Sequence, residues 1–193
     1  MPANMKAMIA ETFFRMAKGK SIDKITVTDL VEQCKISRQT FYYHFKDMMD
    51  VLEWAMGETV RRTLDRSLEA SSDREAMGIL VSMIMENRGI IRRLLNSQHR
   101  EQIERIIVEG LRTYLQKAYL LRAPRHTIDR ADLELLLDFC AYGLAGLMFQ
   151  VGQQEQVDEK KLADQLYRML TGRLFAPFPE RVEETKKTDC HIF

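Results

Sequence analysis

The residues with the clearest chemical potential lie in one short segment, KISRQTFYYHFKD, which runs from Lys35 to Asp47. Its five consecutive ring side chains, at positions 41–45, follow an arginine, a glutamine and a threonine and precede a lysine. Arginine reads guanine and glutamine reads adenine in the major groove of DNA, and hydroxyl and basic side chains bind phosphates. We interpret the segment as a surface that contacts DNA. The alternative, an exposed amphipathic helix with an aromatic belt, stays open on the sequence alone.

Local signals around this segment predict two short helices joined by a tight turn. Thr26 followed by Asp29 has the spacing of a capping box and starts the first helix. Ser37 is a good N-cap for the second helix, and Ile36 and Phe41 have the spacing of a hydrophobic staple at its start. Two helices this close together have the spacing of a helix-turn-helix motif.

The second of these helices is predicted to have an inner and an outer face. Phe41 and Phe45 are four residues apart and therefore share one face, which we expect to pack inward. The polar residues then point outward. We expect Arg38 and Gln39 to read bases, and Lys46 to add charge beside the start of the next helix, where free amides favour an anion.

The composition of the whole chain allows such a site in a soluble protein. The 193 residues are 46% hydrophobic and 30% charged, and the net charge of +1 argues against a protein that is basic all over. Three widely spaced cysteines, Cys34, Cys140 and Cys190, form no disulfide or zinc pattern, so we expect a reducing, cytoplasmic location. The apolar stretch at 133–151 contains charged and polar residues, and we interpret it as a buried helix of a protein without membrane contact.

The pattern of the remaining chain predicts an all-α fold. Prolines occur only at positions 2, 124, 177 and 179, and β-branched clusters are almost absent. Helical spacing and caps predict a first helix at about 5–18 and a fourth one up to about 66. Further helices are expected at about 72–89, 90–95, 98–120, 131–151 and 160–173. We divide the chain into a helix-turn-helix DNA-binding domain at 1–46, a helical effector and dimerisation domain at 47–176, and a loosely ordered tail at 177–193.

The stretch ITVTDLVEQCKISRQTFYYHFKDMMDVLEW resembles the DNA-binding segment of the TetR/AcrR family of bacterial regulators. The likeness covers about residues 5–56. It rests on a helix-turn-helix that closes on an aromatic-x-His-Phe-Lys block, followed by an acidic start to the next helix. The family commonly has glycine where Lys35 stands. Within the family, the segment looks most like the group that contains the activator of dihydroxyacetone kinase operons.

The resemblance implies an N-terminal three-helix DNA-binding domain and a helical C-terminal domain that forms a homodimer. His44 either faces DNA with the other residues or caps and packs at the end of its helix. The DNA-binding residues are then Thr26, Thr28, Ser37, Arg38, Gln39, Thr40, Tyr42, Tyr43, His44 and Lys46.

A dimer is also expected on physical grounds. One recognition helix reads too few base pairs for specificity, and two half-sites about one helical turn apart supply the rest. The last two long helices carry more apolar surface than the outside of a monomer needs, and Gly143 and Gly146 allow close approach of helices. In the resembled family these helices form a four-helix interface. The expected interface residues are Leu137, Cys140, Leu144, Leu147, Leu166, Met169 and Leu170.

These patterns predict a homodimeric transcriptional regulator that binds double-stranded DNA at a pseudo-palindromic operator and responds to a small ligand through its C-terminal domain. One alternative is a regulator whose C-terminal domain binds a co-activator protein, as the resembled activator group does. Another is an all-α enzyme, which no convergent cluster of titratable residues supports. The four histidines are too dispersed for a metal site, and we expect no catalytic residue and no cofactor. Met77, Met83, Met85 and Met148 either fill the core or line a ligand pocket.

Overall fold

The computed structural model describes residues 2–122, 129–151, 153–154 and 156–170. These ranges contain helices and turns without any strand, which confirms the all-α prediction. The predicted tail at 177–193 and most of the loop after residue 122 lie outside the described residues. The described residues form the α-helices α1 (Pro2–Gly19), α2 (Val27–Cys34), α3 (Arg38–His44), α4 (Met48–Glu69), α5 (Asp73–Leu95), α6 (Arg100–Arg122), α7 (Arg130–Val151) and α8 (Glu159–Leu170). A 3-10 turn, Ile22–Lys24, lies between α1 and α2.

Side-chain caps start the helices of the N-terminal part where the sequence predicts them. The capping box of α2 is complete, because Thr26 Oγ1 accepts from the Asp29 amide at 3.1 Å and Asp29 Oδ2 accepts from the Thr26 amide at 3.0 Å. Ser37 caps α3 and Asp47 caps α4, each by accepting a hydrogen bond from the amide three residues later, at 3.0 and 2.9 Å. These caps satisfy amides that have no partner within the helix, so they fix where each helix begins.

Helix α5 differs from the sequence-based expectation. The predicted break at 87–89 and the separate short helix at 90–95 are wrong, because α5 continues from Asp73 to Leu95. Its buried residues Ile84, Ile91 and Leu94 keep helical spacing across the supposed break. Glycine within a helix costs about 1 kcal/mol relative to alanine. Gly89 is exposed with open space around it, and the packing on the far side of the helix outweighs that penalty.

One continuous core runs through the described helices. Its buried residues extend from Ile9 in α1 to Leu166 in α8 without separating into two clusters. Helix α1 packs against α2, α4 and α5, while α7 packs against α5 and α6, and α8 against α5. The predicted boundary at 46/47 therefore falls within a shared core, and the division into domains stays a prediction.

Two arginine clamps orient the last two helices. Arg112 of α6 pairs with both Glu134 and Asp138 of α7, and its Nε donates to Asp138 Oδ1 at 2.6 Å. Arg74 of α5 pairs with Asp164 of α8 at 2.8 Å. Exposed ion pairs contribute little to stability, but the bonds from Arg112 to two carboxylates one turn apart define the rotation of α7 about its axis.

Candidate nucleic-acid interface

The turn between α2 and α3 is closed by backbone hydrogen bonds. The amide of Lys35 donates to the carbonyl of Glu32 at 3.1 Å, and the amide of Ile36 donates to that of Val31 at 3.0 Å. Lys35 has φ 55° and ψ 42°, the left-handed conformation, and is the one non-glycine residue with positive φ among the described residues. This turn stops α2 and lets α3 begin only three residues later.

The inner face of α3 anchors it to the rest of the protein. Phe41 and Phe45 are almost wholly buried, with 0% and 1% of their surface exposed, which confirms the predicted orientation. Their ring centroids are 6.1 Å apart, and Phe45 also meets the edge of Trp54 in α4 at 6.1 Å. The Nζ atom of Lys6 in α1 lies 5.1 Å from the Phe45 ring centroid. Helix α3 packs against α2, and the Phe45 ring just after its end contacts Trp54 of α4 and Lys6 of α1, so the opposite face of α3 is presented in a fixed orientation.

The outer face of α3 carries the side chains predicted to meet DNA. Arg38, Gln39 and Lys46 are exposed, and so are Tyr42 and Tyr43, which leave 58% and 82% of their surface in solvent. Large exposed rings do not stabilise a monomer. Their position beside an arginine, a glutamine and a lysine makes a surface with base-reading and phosphate-binding groups on one face.

The other predicted contact residues occupy the edges of this surface. His44 is half-buried, and its ring meets that of Tyr43 edge-on at 5.0 Å. The Thr40 hydroxyl lies 2.9 Å from Ser37 Oγ, which also caps α3. The structure therefore gives Ser37 a local role as well as a place beside the exposed face.

Helix α2 contributes the other edge through Thr26, Thr28 and Asp29. Thr28 Oγ1 accepts a hydrogen bond of 2.6 Å from Arg38 Nη2, which links α2 to α3 across the turn. The hydrogen bond from Lys20 at 2.9 Å, together with those from Thr26, lowers the pKa of Asp29 from 3.8 to about 2. Asp29 is thus ionised at neutral pH, and its charge is offset by Lys20 rather than left free beside an interface for phosphates.

A second exposed surface lies on α7 and is apolar. We call it the α7 outer face and define it by Leu135, Leu136, Phe139 and Tyr142 together with Gly143 and Gly146. Phe139 leaves 76% of its surface in solvent, and no atom lies within 4 Å of a methyl group built on either glycine. The positions 135, 139, 142 and 146 follow helical spacing, so they form one continuous stripe.

The expected dimer residues are divided by the structure between inside and outside. Leu137, Leu144 and Leu166 lie in the core of this chain, with 3–5% of their surface exposed. Met169 and Leu170 are exposed on α8, and the half-buried residues are Cys140 and Leu147 on the flanks of α7. The expectation that the first three face another chain is corrected, because these leucines pack within this one.

A cavity of about 970 Å³ lies between α1, α4, α5, α6 and α7. Two of the four methionines singled out from the sequence, Met83 and Met148, line it, and Met56 joins them. Met85 is buried in the core, and the half-buried Met77 packs against the core residues. The sequence identified methionines that could line a pocket, but it could not show that α1 forms a wall of the cavity. Other apolar lining residues are Ala7, Phe14, Trp54, Ile90 and Leu111.

Three polar groups inside the cavity have partners within their own helices, and Tyr114 Oη lies 2.9 Å from Ser67 Oγ of α4. Thr59 Oγ1 donates to the Ala55 carbonyl at 2.9 Å, and Thr63 Oγ1 donates to the Thr59 carbonyl at 2.8 Å. Asn87 Nδ2 donates to the Met83 carbonyl at 2.7 Å. The charged residues that line the cavity are mostly exposed, which places charge at its opening; they include Glu11, Lys18, Arg61, Arg62, Glu86 and Arg93.

A metal centre and a membrane span are two other features that a chain of this kind could contain. No group of three or more histidine, cysteine, aspartate or glutamate side chains within the described ranges could hold a metal ion. By length and composition alone, α7 could cross a membrane, and 33% of its most apolar window is buried in this chain. Its Glu134 and Asp138 are engaged by Arg112, an arrangement that suits a helix packed within a folded protein.

Comparison with known proteins adds independent information. A TetR-type family profile described as "Transcriptional regulator C-terminal region" matches residues 74–172. A curated relative, the uncharacterized HTH-type transcriptional regulator YxbF of Bacillus subtilis, is 22% identical over 109 residues. That match covers 51% of this chain, and the chain spans only 28% of the length of that relative.

Solved structures show the same fold. The dihydroxyacetone kinase operon activator DhaS superimposes with a TM-score of 0.64 at 18% identity, covering 88% of this chain and 95% of DhaS. A TetR-family regulator from Syntrophomonas wolfei superimposes with a TM-score of 0.58 at 12% identity, covering 93% of this chain and 100% of that one. At these identities the likeness concerns the arrangement of helices alone.

Proposed function

The chain belongs to the TetR family of transcriptional regulators, and on that premise we propose that it acts as a homodimer on a pseudo-palindromic operator in the bacterial cytoplasm. A small ligand in the cavity between α1 and α4–α7 modulates this binding. The chain is a regulator rather than an enzyme, as its family and relatives indicate. The observation that carries the proposal is the outer face of α3, held in position by the buried pair Phe41 and Phe45.

The residues of the outer face divide into two roles. Arg38 and Gln39 begin α3, the part of a recognition helix that reaches base edges. Tyr42 and Lys46 lie further along the segment and suit contacts to the sugar-phosphate backbone. Arg38 and Gln39 therefore carry sequence choice in this proposal, whereas Tyr42 and Lys46 carry affinity for any DNA.

Matched substitutions separate these roles. The operator is first obtained by selecting DNA from a randomised pool with the wild-type protein. Arg38→Ala weakens binding to this site by about 1–3 kcal/mol and relaxes one base position, whereas Lys46→Ala weakens binding to selected and random DNA alike. If each head neutralises about four phosphates, the log–log salt slope is about −7. A Lys46→Ala protein that changes the preferred sequence, beside an Arg38→Ala protein that does not, would contradict the assignment.

The dimer is proposed to form through the α7 outer face. The α7 outer face exposes two aromatic residues and two leucines next to one another, which is unusual on a monomer. The cores of protein interfaces are enriched in aromatic and apolar residues. The α7 outer face also includes Gly143 and Gly146, which have open space around them and let a second helix come close. A second copy of this chain is the proposed occupant because two recognition helices are required for one operator. We propose that Met169 and Leu170, exposed at the end of α8, belong to the same interface.

The interface is tested with a charge on the stripe. Phe139→Arg places an unpaired charge where the two α7 helices meet, so sedimentation velocity should show a monomer and the DNA shift assay should show loss of operator binding. Glu109→Arg, on the exposed part of α6, is the matched control and should stay dimeric. Leu144 is unsuitable because it is buried, and an arginine there unfolds the chain. A Phe139→Arg protein that is folded and still dimeric would show that the interface lies elsewhere on the chain.

The cavity is proposed to bind a small, largely apolar molecule. Its volume is within the range of ligand pockets in proteins, and most of its wall is apolar, with three methionines among aliphatic and aromatic side chains. Because Thr59, Thr63 and Asn87 donate to backbone carbonyls, they leave mainly acceptor atoms for a ligand. Helix α1 forms one wall and also packs against α2, so occupancy of the cavity acts directly on the DNA-binding part.

A thermal-shift screen with small metabolites tests the ligand proposal. Compounds that raise the melting temperature should lose their effect when Ala7→Phe fills the cavity wall, while Arg15→Phe, exposed on the same helix and away from the cavity, should still respond. Operator binding without ligand should be retained by both variants. A screen without hits, together with an operator response to a co-expressed partner protein, would favour the co-activator alternative.

A further inference from the structure

The hydrogen bond between Thr28 and Arg38 joins two residues that the sequence treats as separate DNA contacts. Arg38 is the first residue of α3, and Thr28 is the second residue of α2, ten positions earlier. Arg38 Nη2 donates to Thr28 Oγ1 at 2.6 Å, a short distance typical of a charged donor. Thr28 is half-buried on a capped helix, whereas Arg38 is exposed. The better-ordered partner therefore holds the more flexible one.

This arrangement matters because a free arginine has many rotamers. An exposed arginine loses this freedom when it binds a base, and that loss weakens the interaction unless the side chain is ordered beforehand. A hydrogen bond from the guanidinium to a helix that does not depend on DNA supplies part of this order. In the structure, this hydrogen bond holds the Arg38 side chain beside the N-terminal end of α3.

The hydrogen bond leaves the guanidinium able to read a base. Nη2 has two hydrogens, one on the edge shared with Nε and one on the edge shared with Nη1. Thr28 uses one of them, so one complete two-donor edge remains for guanine O6 and N7. The Thr28 hydroxyl hydrogen also stays free, because its oxygen is the acceptor in this bond. The geometry is therefore compatible with simultaneous contact to Thr28 and to a base.

We propose that Thr28 is a positioning residue for sequence recognition, which acts by holding the Arg38 guanidinium toward the base that Arg38 reads. This inference rests on the proposed DNA-binding function. It assigns Thr28 a part in discrimination between bases, whereas a threonine hydroxyl at a DNA surface would by itself suggest a contact with the DNA backbone. A backbone contact would strengthen binding to every DNA sequence equally, so the two roles have different experimental signatures.

The test uses two substitutions at Thr28 and fluorescence anisotropy with three kinds of DNA. Thr28→Val keeps the shape but removes the hydroxyl, and Thr28→Ser keeps the hydroxyl. The DNA duplexes are the selected operator, operators altered at each base pair of the half-site, and a random sequence. Circular dichroism and thermal melting verify that both variants fold, as expected because the cap of α2 is Thr26.

Because Thr28→Val lacks this hydrogen bond, its affinity for the operator should be about threefold weaker per half-site. The two half-sites of a dimer together should give a loss of about tenfold. The preference for the correct base at the position read by Arg38 should also fall about threefold per half-site. The affinity of Thr28→Val for random DNA should equal that of the wild-type protein. Thr28→Ser should restore both quantities. In an Arg38→Ala background, Thr28→Val should have no further effect, because the residue it positions is gone.

Three results would overturn the inference. Thr28→Val could bind the operator as tightly as wild type, or it could weaken random DNA and operator equally, or it could act equally with and without Arg38. The second and third results would instead assign Thr28 to the DNA backbone and leave the proposed function intact. A wild-type protein that enriches no sequence from the randomised pool would overturn the proposed function itself.

Discussion

Lys35 occupies the left-handed region without the glycine that this conformation favours, which makes its replacement informative. At φ 55° and ψ 42°, an L side chain costs about 1–2 kcal/mol, because its Cβ crowds the following carbonyl oxygen. Glycine removes this strain but adds about 0.5–1 kcal/mol of backbone entropy to the unfolded chain. The net effect is a stabilisation of about 0.5–1 kcal/mol for glycine over any residue with a Cβ.

The matched control is Lys35→Ala, since it keeps the Cβ and removes the charge. Lysine near the C-terminus of α2 stabilises the helix dipole by about 0.3–1 kcal/mol, and both variants lose this contribution equally. The difference between Lys35→Gly and Lys35→Ala thus measures the left-handed strain minus the backbone entropy of glycine, without the charge. For a chain of this size it corresponds to about 1–4 °C in melting temperature.

Urea unfolding at one fixed protein concentration measures this difference, because the stability of a dimer depends on concentration. The midpoint of Lys35→Gly should lie above that of Lys35→Ala, with the same dependence on urea. Lys35→Asn should fall between them, since asparagine tolerates this conformation. A glycine variant that is no more stable than the alanine variant would show that the strain at this turn does not exceed the entropy cost of glycine, and the reasoning would fail.

Three further predictions concern stability. The hydrogen bonds from Lys20 and Thr26 lower the pKa of Asp29 from 3.8 to about 2, so the contribution of this carboxylate to the free energy of unfolding is present above pH 4 and lost as the pH falls toward 2. Asp29→Asn should therefore flatten acid unfolding profiles in that window. A methyl group at Gly110 would lie 2.8 Å from Met56 Cγ, so Gly110→Ala should destabilise by about 1 kcal/mol, and urea unfolding of the double variant with Met56→Ala should show a loss smaller than the sum of the two single losses. Phe41→Ala empties a wholly buried position and should lower the unfolding free energy in urea by about 3–5 kcal/mol, whereas Phe41→Leu should lose much less.

The DNA-binding part was predictable because its signals are local. A cap acts on an amide three residues later, and the inward pair Phe41 and Phe45 is four residues apart on a short amphipathic helix. Each of these features depends on a few neighbouring residues, so the sequence specifies them without knowledge of the remaining fold. The link between Thr28 and Arg38 was not predictable, because it depends on the angle at which two helices meet.

The two departures in the C-terminal part have a different physical origin. Helix α7 has apolar side chains around most of its circumference, so a hydrophobic pattern cannot distinguish its buried Leu144 from its exposed Phe139. Its rotation is set by contacts with other helices, among them the pairing of Arg112 with two carboxylates on α7. In α5, the glycine and the polar residues near position 88 suggested that the helix ends there. These residues lie at partly or fully exposed positions, and the helix continues because its buried apolar residues keep helical spacing past them.

The position of α1 limits how modular this regulator can be. In chimeras, a DNA-binding segment is exchanged between proteins so that one ligand controls another operator. Here the segment to be exchanged includes α1, whose residues Ala7, Ala10 and Phe14 line the cavity. A transplanted segment would bring a different α1 and so change the shape of the cavity. Exchange of α2 and α3 alone, with α1 retained, is the graft that keeps the cavity while it changes the exposed face of α3.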